Sequence, residues 1–130
     1  MAHRIRVFAP ATIANLGPGF DVLGLALTEP GDLVEGELCG QPGVDLVEIT
    51  GDRGLLSRDP DKNVAGGAAR EVLRRADAQG TGVRLWLHKQ MPLASGLGSS
   101  GASSAAAAFA VNELLGRPLS GHEIVLSAME

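Results

Sequence analysis

The amino-acid sequence predicts an α+β domain. Segments with period-two alternation crowd into the first fifty residues, and helical periodicity dominates after them. One glycine- and serine-rich stretch, Pro92-Leu93-Ala94-Ser95-Gly96-Leu97-Gly98-Ser99-Ser100-Gly101-Ala102, runs directly into an alanine-rich helix. A regular βαβ repeat would alternate its elements along the whole chain, and this one does not.

Residues 4–8 alternate and predict a first strand; 21–27 predict a second, apolar on both faces. Residues 33–39 and 44–50 alternate and predict two more, separated by the turn Gly40-Gln41-Pro42-Gly43. A helix is expected over 63–79, because Val64, Ala68, Val72 and Ala76 recur every four residues, with Gly80 placed as its terminating residue. Residues 83–88 alternate as a strand, with Trp86 opposite Leu85 and Leu87 and expected to pack under a neighbouring element. The next helix starts at Ser99 or Ser100, runs to Leu115 and stops at Gly116, with Pro118 beyond. Ser120 and Glu123 form a capping-box pattern that opens a last helix, carrying Ile124, Val125, Ala128 and Met129 on an apolar face.

At 130 residues the chain is one domain long. Its net charge of −4 speaks against a nucleic-acid surface. Three Phe, one Trp and no Tyr leave the core to Val, Leu, Ile and Ala. Cys39 is the single cysteine, which excludes an internal disulfide and fits a reducing compartment; its alternating context predicts a small core side chain. With no secretory h-region and no apolar run of the ~18 residues a membrane span needs, a cytoplasmic protein without membrane contact is expected. His3, His88 and His122 lack metal-ligand spacing. The final helix ends in mid-pattern at Glu130, so the chain is expected to be part of a longer protein.

The glycine-rich stretch carries the chemistry. Gly96 and Gly98 have no Cβ, so their backbone can come close to a ligand. The helix that follows directs its unbonded N–H groups and positive dipole end at the same place, which suits a phosphate. Gly96-x-Gly98-x-x-Gly101 also matches the dinucleotide fingerprint, but Lys89 to Ser95 intervene after the strand, and that fold needs its glycines in the tight turn that follows. A residue 20 or so positions on should be acidic at a strand end, and Glu123 lies in a helical pattern instead. A Walker A loop is excluded because no Lys follows the last glycine.

Upstream, Pro10-Ala11-Thr12-Ile13-Ala14-Asn15-Leu16-Gly17-Pro18-Gly19-Phe20-Asp21-Val22-Leu23-Gly24-Leu25-Ala26-Leu27 closely resembles the first motif of homoserine kinases. The stretch from Pro92 to Ala102 resembles the second motif of the superfamily of galactokinases, homoserine kinases, mevalonate kinases and phosphomevalonate kinases. The resemblance covers essentially the whole chain. It implies a two-layer sheet-and-helix fold like ribosomal protein S5 domain 2, with a left-handed βαβ crossover. It further implies that residues 1–130 are the N-terminal ATP-binding domain of a kinase whose C-terminal domain lies beyond them. The implied activity is ATP-dependent phosphorylation of the L-homoserine hydroxyl to O-phospho-L-homoserine, a step of threonine biosynthesis. Another small-molecule kinase of the superfamily, or an inactive nucleotide-binding fragment, is the alternative. A homodimer is left open.

Site roles follow from the same resemblance. Asn15 and Asp21 fall in the substrate pocket, against the alternative of an Asx-turn and a solvated carboxylate. A carboxylate of ordinary pKa is a poor base for an alcohol, so the hydroxyl proton goes either to Asp21 or to the γ-phosphate itself. The stretch Pro92, Leu93, Ala94, Ser95, Gly96, Leu97, Gly98, Ser99, Ser100, Gly101 and Ala102 cradles the ATP phosphates. Ser100 and Glu130 supply oxygen ligands to Mg2+. Asn63 and Val64 match the adenine-contacting segment, while Asn63 alone also reads as a helix N-cap. Lys89 lies either near the ribose and phosphates or exposed at a strand end.

Overall fold

The computed structural model describes residues 4–14, 24–52, 54, 56–90 and 99–129. Four strands and three helices follow in the order β1 (Arg4–Ala14), β2 (Gly24–Cys39), β3 (Gly43–Thr50), α1 (Val64–Arg75), β4 (Gly82–His88), α2 (Ser99–Leu114) and α3 (Gly121–Met129). The sheet order is β1-β2-β4-β3. β2 runs antiparallel to both neighbours, and β3 and β4 are parallel, joined through α1. The expected α+β class holds.

Alternation sorts each strand into two faces. Val34 on β2, Leu46 on β3 and Val83, Leu85 and Leu87 on β4 are buried against the helices. The opposite face carries Arg4, Arg6, Glu35, Glu37, Arg84 and His88; cross-strand Arg–Glu ion pairs of 3.1–3.6 Å tie it, and His88 Nε2 lies 3.6 Å from Glu35 Oε1. Trp86 belongs to this outer face, where the Arg4 guanidinium lies 3.8 Å from its ring centroid.

α2 explains the alanine content. Ala102, Ala106, Ala107, Ala108, Ala110 and Val111 are buried, as are Ser103, Ser104 and Asn112. The helix packs on β1 and β2 while holding α1 and α3 at its sides. A helix buried on several sides needs short side chains to bring backbones close. Gly36 on β2 serves the same end: a Cβ there would sit 3.2 Å from Leu85 and 3.3 Å from Leu114.

Three boundaries differ from expectation, the first being β1, which is expected over 4–8 and runs on to Ala14. The strands expected at 21–27 and 33–39 are one strand in β2, continuous through Pro30 and Gly31. The pairing with β1 shifts register between Pro10 and Thr12, whose partners are Gly31 and Ala26. Such an irregularity tolerates a proline that cannot donate to the ladder. The helix expected to reach residue 79 ends at Arg75. The N–H of Asp77 bonds to Arg74 O (3.1 Å) and that of Ala78 to Leu73 O (2.8 Å), a Schellman closure with Asp77 at φ 55° in the place expected of Gly80. Aspartate is among the few residues that accept this conformation, so the glycine is not needed. Cys39, expected in the core, is half-buried at the end of β2, its thiol 3.5 Å from Gln41 O.

The other termini agree with expectation. Gly116, at φ 89°, closes α2. The buried Asn112 side chain then accepts from Leu119 N (2.9 Å) and donates to Leu119 O (3.3 Å), clamping the turn into α3. The capping box is reciprocal: Glu123 N donates to Ser120 Oγ (3.2 Å), and Ser120 N donates to Glu123 Oε1 (3.1 Å).

Hydrogen bonding to the carboxyl from the Ser120 backbone N–H, and then from its hydroxyl, holds Glu123 below the usual carboxylate range. A carboxyl whose pKa is lowered by folding stabilises the fold above its unfolded-chain pKa, and that contribution is lost as pH falls through its folded pKa. The melting-temperature advantage over Glu123→Gln is therefore expected at neutral pH and is expected to shrink through the acid range. Thermal melts between pH 7 and about pH 3 check this, since that span brackets carboxyl titration. An advantage constant across it would mean that ionised Glu123 adds nothing to the cap.

Candidate functional site

The parallel strands β3 and β4 end side by side, and both flanking helices begin there. Lys89 N donates to Thr50 O at 2.8 Å. Gly51 follows at φ +79°, so close that a Cβ would lie 2.0 Å from Lys89 O. Beyond it, the Asp52 carboxylate accepts from Gly54 N and Leu56 N, both at 3.1 Å, and shapes the turn toward α1. Ligands commonly bind outside the carboxyl ends of parallel strands, because helix N-termini collect there.

Asn63 caps α1. Its backbone is extended (φ −125°, ψ 131°) and its side-chain oxygen accepts from Ala65 N at 2.9 Å. Its amide donates to Ser57 O at 2.9 Å, tying the cap to the preceding turn. Val64, the next residue, is half exposed at 52%. An apolar side chain at a helix start that is left open to solvent is not needed by the core. Leu56, Lys62, Asn63, Val64, Leu87, Lys89 and Ser103 line a recess of about 110 Å³. This is smaller than the roughly 300–1,000 Å³ of a complete ligand pocket, so it accommodates one end of a ligand.

Lys89, expected either near the ribose and phosphates or exposed at a strand end, is not exposed. Its side chain is 3% exposed, and its ammonium lies 2.5 Å from Asp32 Oδ2, itself 1% exposed. The ammonium also donates to Ser103 Oγ in the first turns of α2. Ser103 Oγ lies 3.4 Å from Asp32 Oδ2. The second carboxylate oxygen of Asp32 accepts from Gln90 N at 2.8 Å. A buried pair of this kind is costly to desolvate, and leaving either charge alone would cost about 3–5 kcal/mol. Sequence reasoning did not single out Asp32 or Ser103. The signal was present, because Asp32 continues the inward parity of Val34, and Lys89 that of Leu85 and Leu87.

Of the expected site residues, Asn63, Val64 and Lys89 meet around one recess. Ser99, Ser100, Gly101 and Ala102 form the first turn of α2, and Ala102 is buried. Asn15, Asp21, the stretch from Pro92 to Gly98, Glu130 and the side chain of Ser100 lie outside the described residues. Among the described residues, no group of three or more His, Cys, Asp or Glu could hold a metal ion.

Comparison with known proteins places this arrangement. The family description "GHMP kinases N terminal domain" matches residues 63–130, more than half of the chain. The chain belongs to the GHMP kinases. It is 46% identical over 133 residues to a homoserine kinase of Chlorobium phaeobacteroides, covering 95% of this chain and 41% of that protein. A homoserine kinase of Arabidopsis thaliana is 48% identical over 131 residues, covering 97% and 35%. The crystal structure of homoserine kinase from Cytophaga hutchinsonii superposes with a TM-score of 0.92 at 44% identity, covering 97% of this chain and 40% of that one. A mevalonate kinase structure from Methanococcus jannaschii, at 15% identity and TM-score 0.75, shares the fold. The chain thus spans about two-fifths of the length of the homoserine kinases of Chlorobium and Cytophaga.

The cap at Asn63 has a measurable weight. Asn63→Ala is expected to lower stability by about 1 kcal/mol, the usual cost of deleting an N-cap. Asn63→Ser keeps an acceptor for Ala65 N but loses the bond to Ser57 O, and should fall between. Urea denaturation of the three proteins checks the order; an Asn63→Ala protein as stable as its parent would remove the cap from the account.

Proposed function

We propose that this chain is the ATP-binding part of a homoserine kinase. The observation that carries the nucleotide half is the juxtaposition of Asn63, Val64 and Lys89 in one recess beside the first turns of α2. The adenine end packs on exposed Val64 and meets the polar edge of Asn63. The phosphates extend toward residues 92–102, where glycine backbone and the N-terminus of α2 offer N–H donors. The homoserine half is supported by the similarity to homoserine kinases of three organisms. It is also supported by the motif from Asn15 to Asp21.

Phosphoryl transfer is mainly a matter of positioning and charge stabilisation. The homoserine hydroxyl oxygen bonds to the γ-phosphorus as the bond from that phosphorus to the β,γ-bridging oxygen breaks, releasing ADP. Asn15 and Asp21 orient the hydroxyl, whose proton passes to Asp21 or to a phosphate oxygen. Mg2+, when bound, neutralises phosphate charge; the hydroxyl of Ser100 and the carboxylate of Glu130 are the hard oxygen donors this ion prefers.

A coupled ADP-release assay tests the reading on the complete polypeptide that carries these residues. ADP release should depend on L-homoserine and not on mevalonate or galactose; release independent of homoserine would overturn the assignment. Asp21→Ala should reduce homoserine turnover by about 10²-fold or more, as expected for a group that orients or deprotonates the nucleophile. ATP affinity by calorimetry should be unchanged in the same variant. Equal loss of both would assign Asp21 a structural role.

A further inference from the structure

The recess and the glycine-rich stretch account for a nucleotide, yet neither uses Asp32. This carboxylate is fully buried on the helix-covered face of β2, beside Lys89 and beside Ser103 in the first turns of α2. An apolar pair of similar volume in place of Asp32 and Lys89 would be equally stable or more so, so stability alone is a weak reason for the charges. Their contacts suggest a different reason. Oδ1 of Asp32 accepts from the backbone N–H of Gln90, the residue just before the stretch 91–98. Oδ2 accepts from Lys89, which in turn donates to Ser103, the fifth residue of α2 and so just past the end of that stretch. One side chain therefore holds the incoming stem by its backbone and the outgoing stem through one lysine. The extended β2–β4 register supports the arrangement: Leu33 pairs with His88, so the next antiparallel pair is Asp32 with Lys89.

We propose that Asp32, acting through Lys89 and Ser103, is a positioning residue that sets the separation of the two stems of the glycine- and serine-rich stretch, and thereby the affinity for nucleotide phosphates. The proposal rests on the nucleotide reading above. Asp32 does not itself line the recess assigned to the base, whereas its partners Lys89 and Ser103 do. Backbone N–H groups bind phosphate well only when held close to the productive geometry. The stem anchored by Gln90 N and the stem anchored by Ser103 are the described points from which that geometry is held.

Calorimetric titration of ATP and of adenosine into the complete polypeptide, its Asp32→Asn variant and its Ser103→Ala variant tests the proposal, with circular dichroism as the folding control. Asp32→Asn should weaken ATP roughly ten-fold or more, the size of a lost hydrogen bond to a charged group, while adenosine affinity holds. Ser103→Ala should lower the ratio of ATP to adenosine affinity in the same direction, by a smaller factor. Folded variants with the parent's ratio would overturn the proposal, as would equal weakening of both ligands, which marks general structural damage. If Asp32→Asn does not fold, the Ser103→Ala ratio decides alone, since alanine is well tolerated in a helix. A parent protein that binds adenosine as tightly as ATP would instead overturn the phosphate reading itself, a distinct result.

Discussion

The close approach of α2 to the sheet is the constraint on which the other elements depend. Ala106, Ala107, Ala108 and Ala110 are at most 1% exposed, so over this length α2 faces solvent just along the line of Ala105 and Phe109. Only side chains of this size let one helix touch β1 and β2 below it and α1 and α3 beside it. A larger residue at any of these positions would have to displace a strand or a helix, and packed interiors absorb such changes poorly. The same closeness fixes the direction of the α2 N-terminus relative to the ends of β3 and β4. The chemistry assigned to the first turn of α2 thus rests on packing made two and three turns later.

At that end of the sheet the fold changes from apolar to polar without leaving a group unsatisfied. Asn63, Asp32, Lys89 and Ser103 are all buried, and among the described residues no buried side-chain nitrogen or oxygen lacks a hydrogen-bond partner. Each polar group connects elements that are separate in sequence. Asn63 joins α1 to the turn at Ser57, Asp32 joins β2 to Gln90, and Lys89 joins β4 to α2. Partnered buried networks restrict the arrangements a core can adopt, whereas apolar contacts alone tolerate many. The polar end is where a nucleotide would have to be met by fixed groups, and the apolar remainder of the core needs no such definition.

The outer face of the sheet follows a different logic. Arg4, Arg6 and Arg84 alternate in sign with Glu35 and Glu37 across three strands, and the exposed arginines cover the largely buried glutamates. Exposed pairs of this kind contribute little each. Their effect is to keep one face of an antiparallel ladder wet while the other is dry, and so to fix strand register, since a slip of one residue would exchange the two sets.

Much of this was legible in the sequence, because alternation, helical periodicity and cap chemistry are local. The four observed strands, the caps at Asn63 and Ser120, the stop at Gly116 and the family motifs could all be read from neighbouring residues. Where local signals misled, tertiary contacts had overruled them. Residues 21–27 and 33–39 read as two separate strands, yet the β1 ladder carries β2 through Pro30 and Gly31 by shifting register. Gly80 reads as a helix stop, yet Asp77 closes α1 three residues earlier. Lys89 reads as well as a solvated strand end as a group near the phosphates, yet it is buried beside a carboxylate 57 positions away in sequence. A carboxylate that far off leaves no local trace of the pairing. The sequence by itself determined which elements form and which chemistry they carry; the tertiary structure decided which of their charges are buried together, because burial depends on what packs over a side chain and not on its neighbours in the chain.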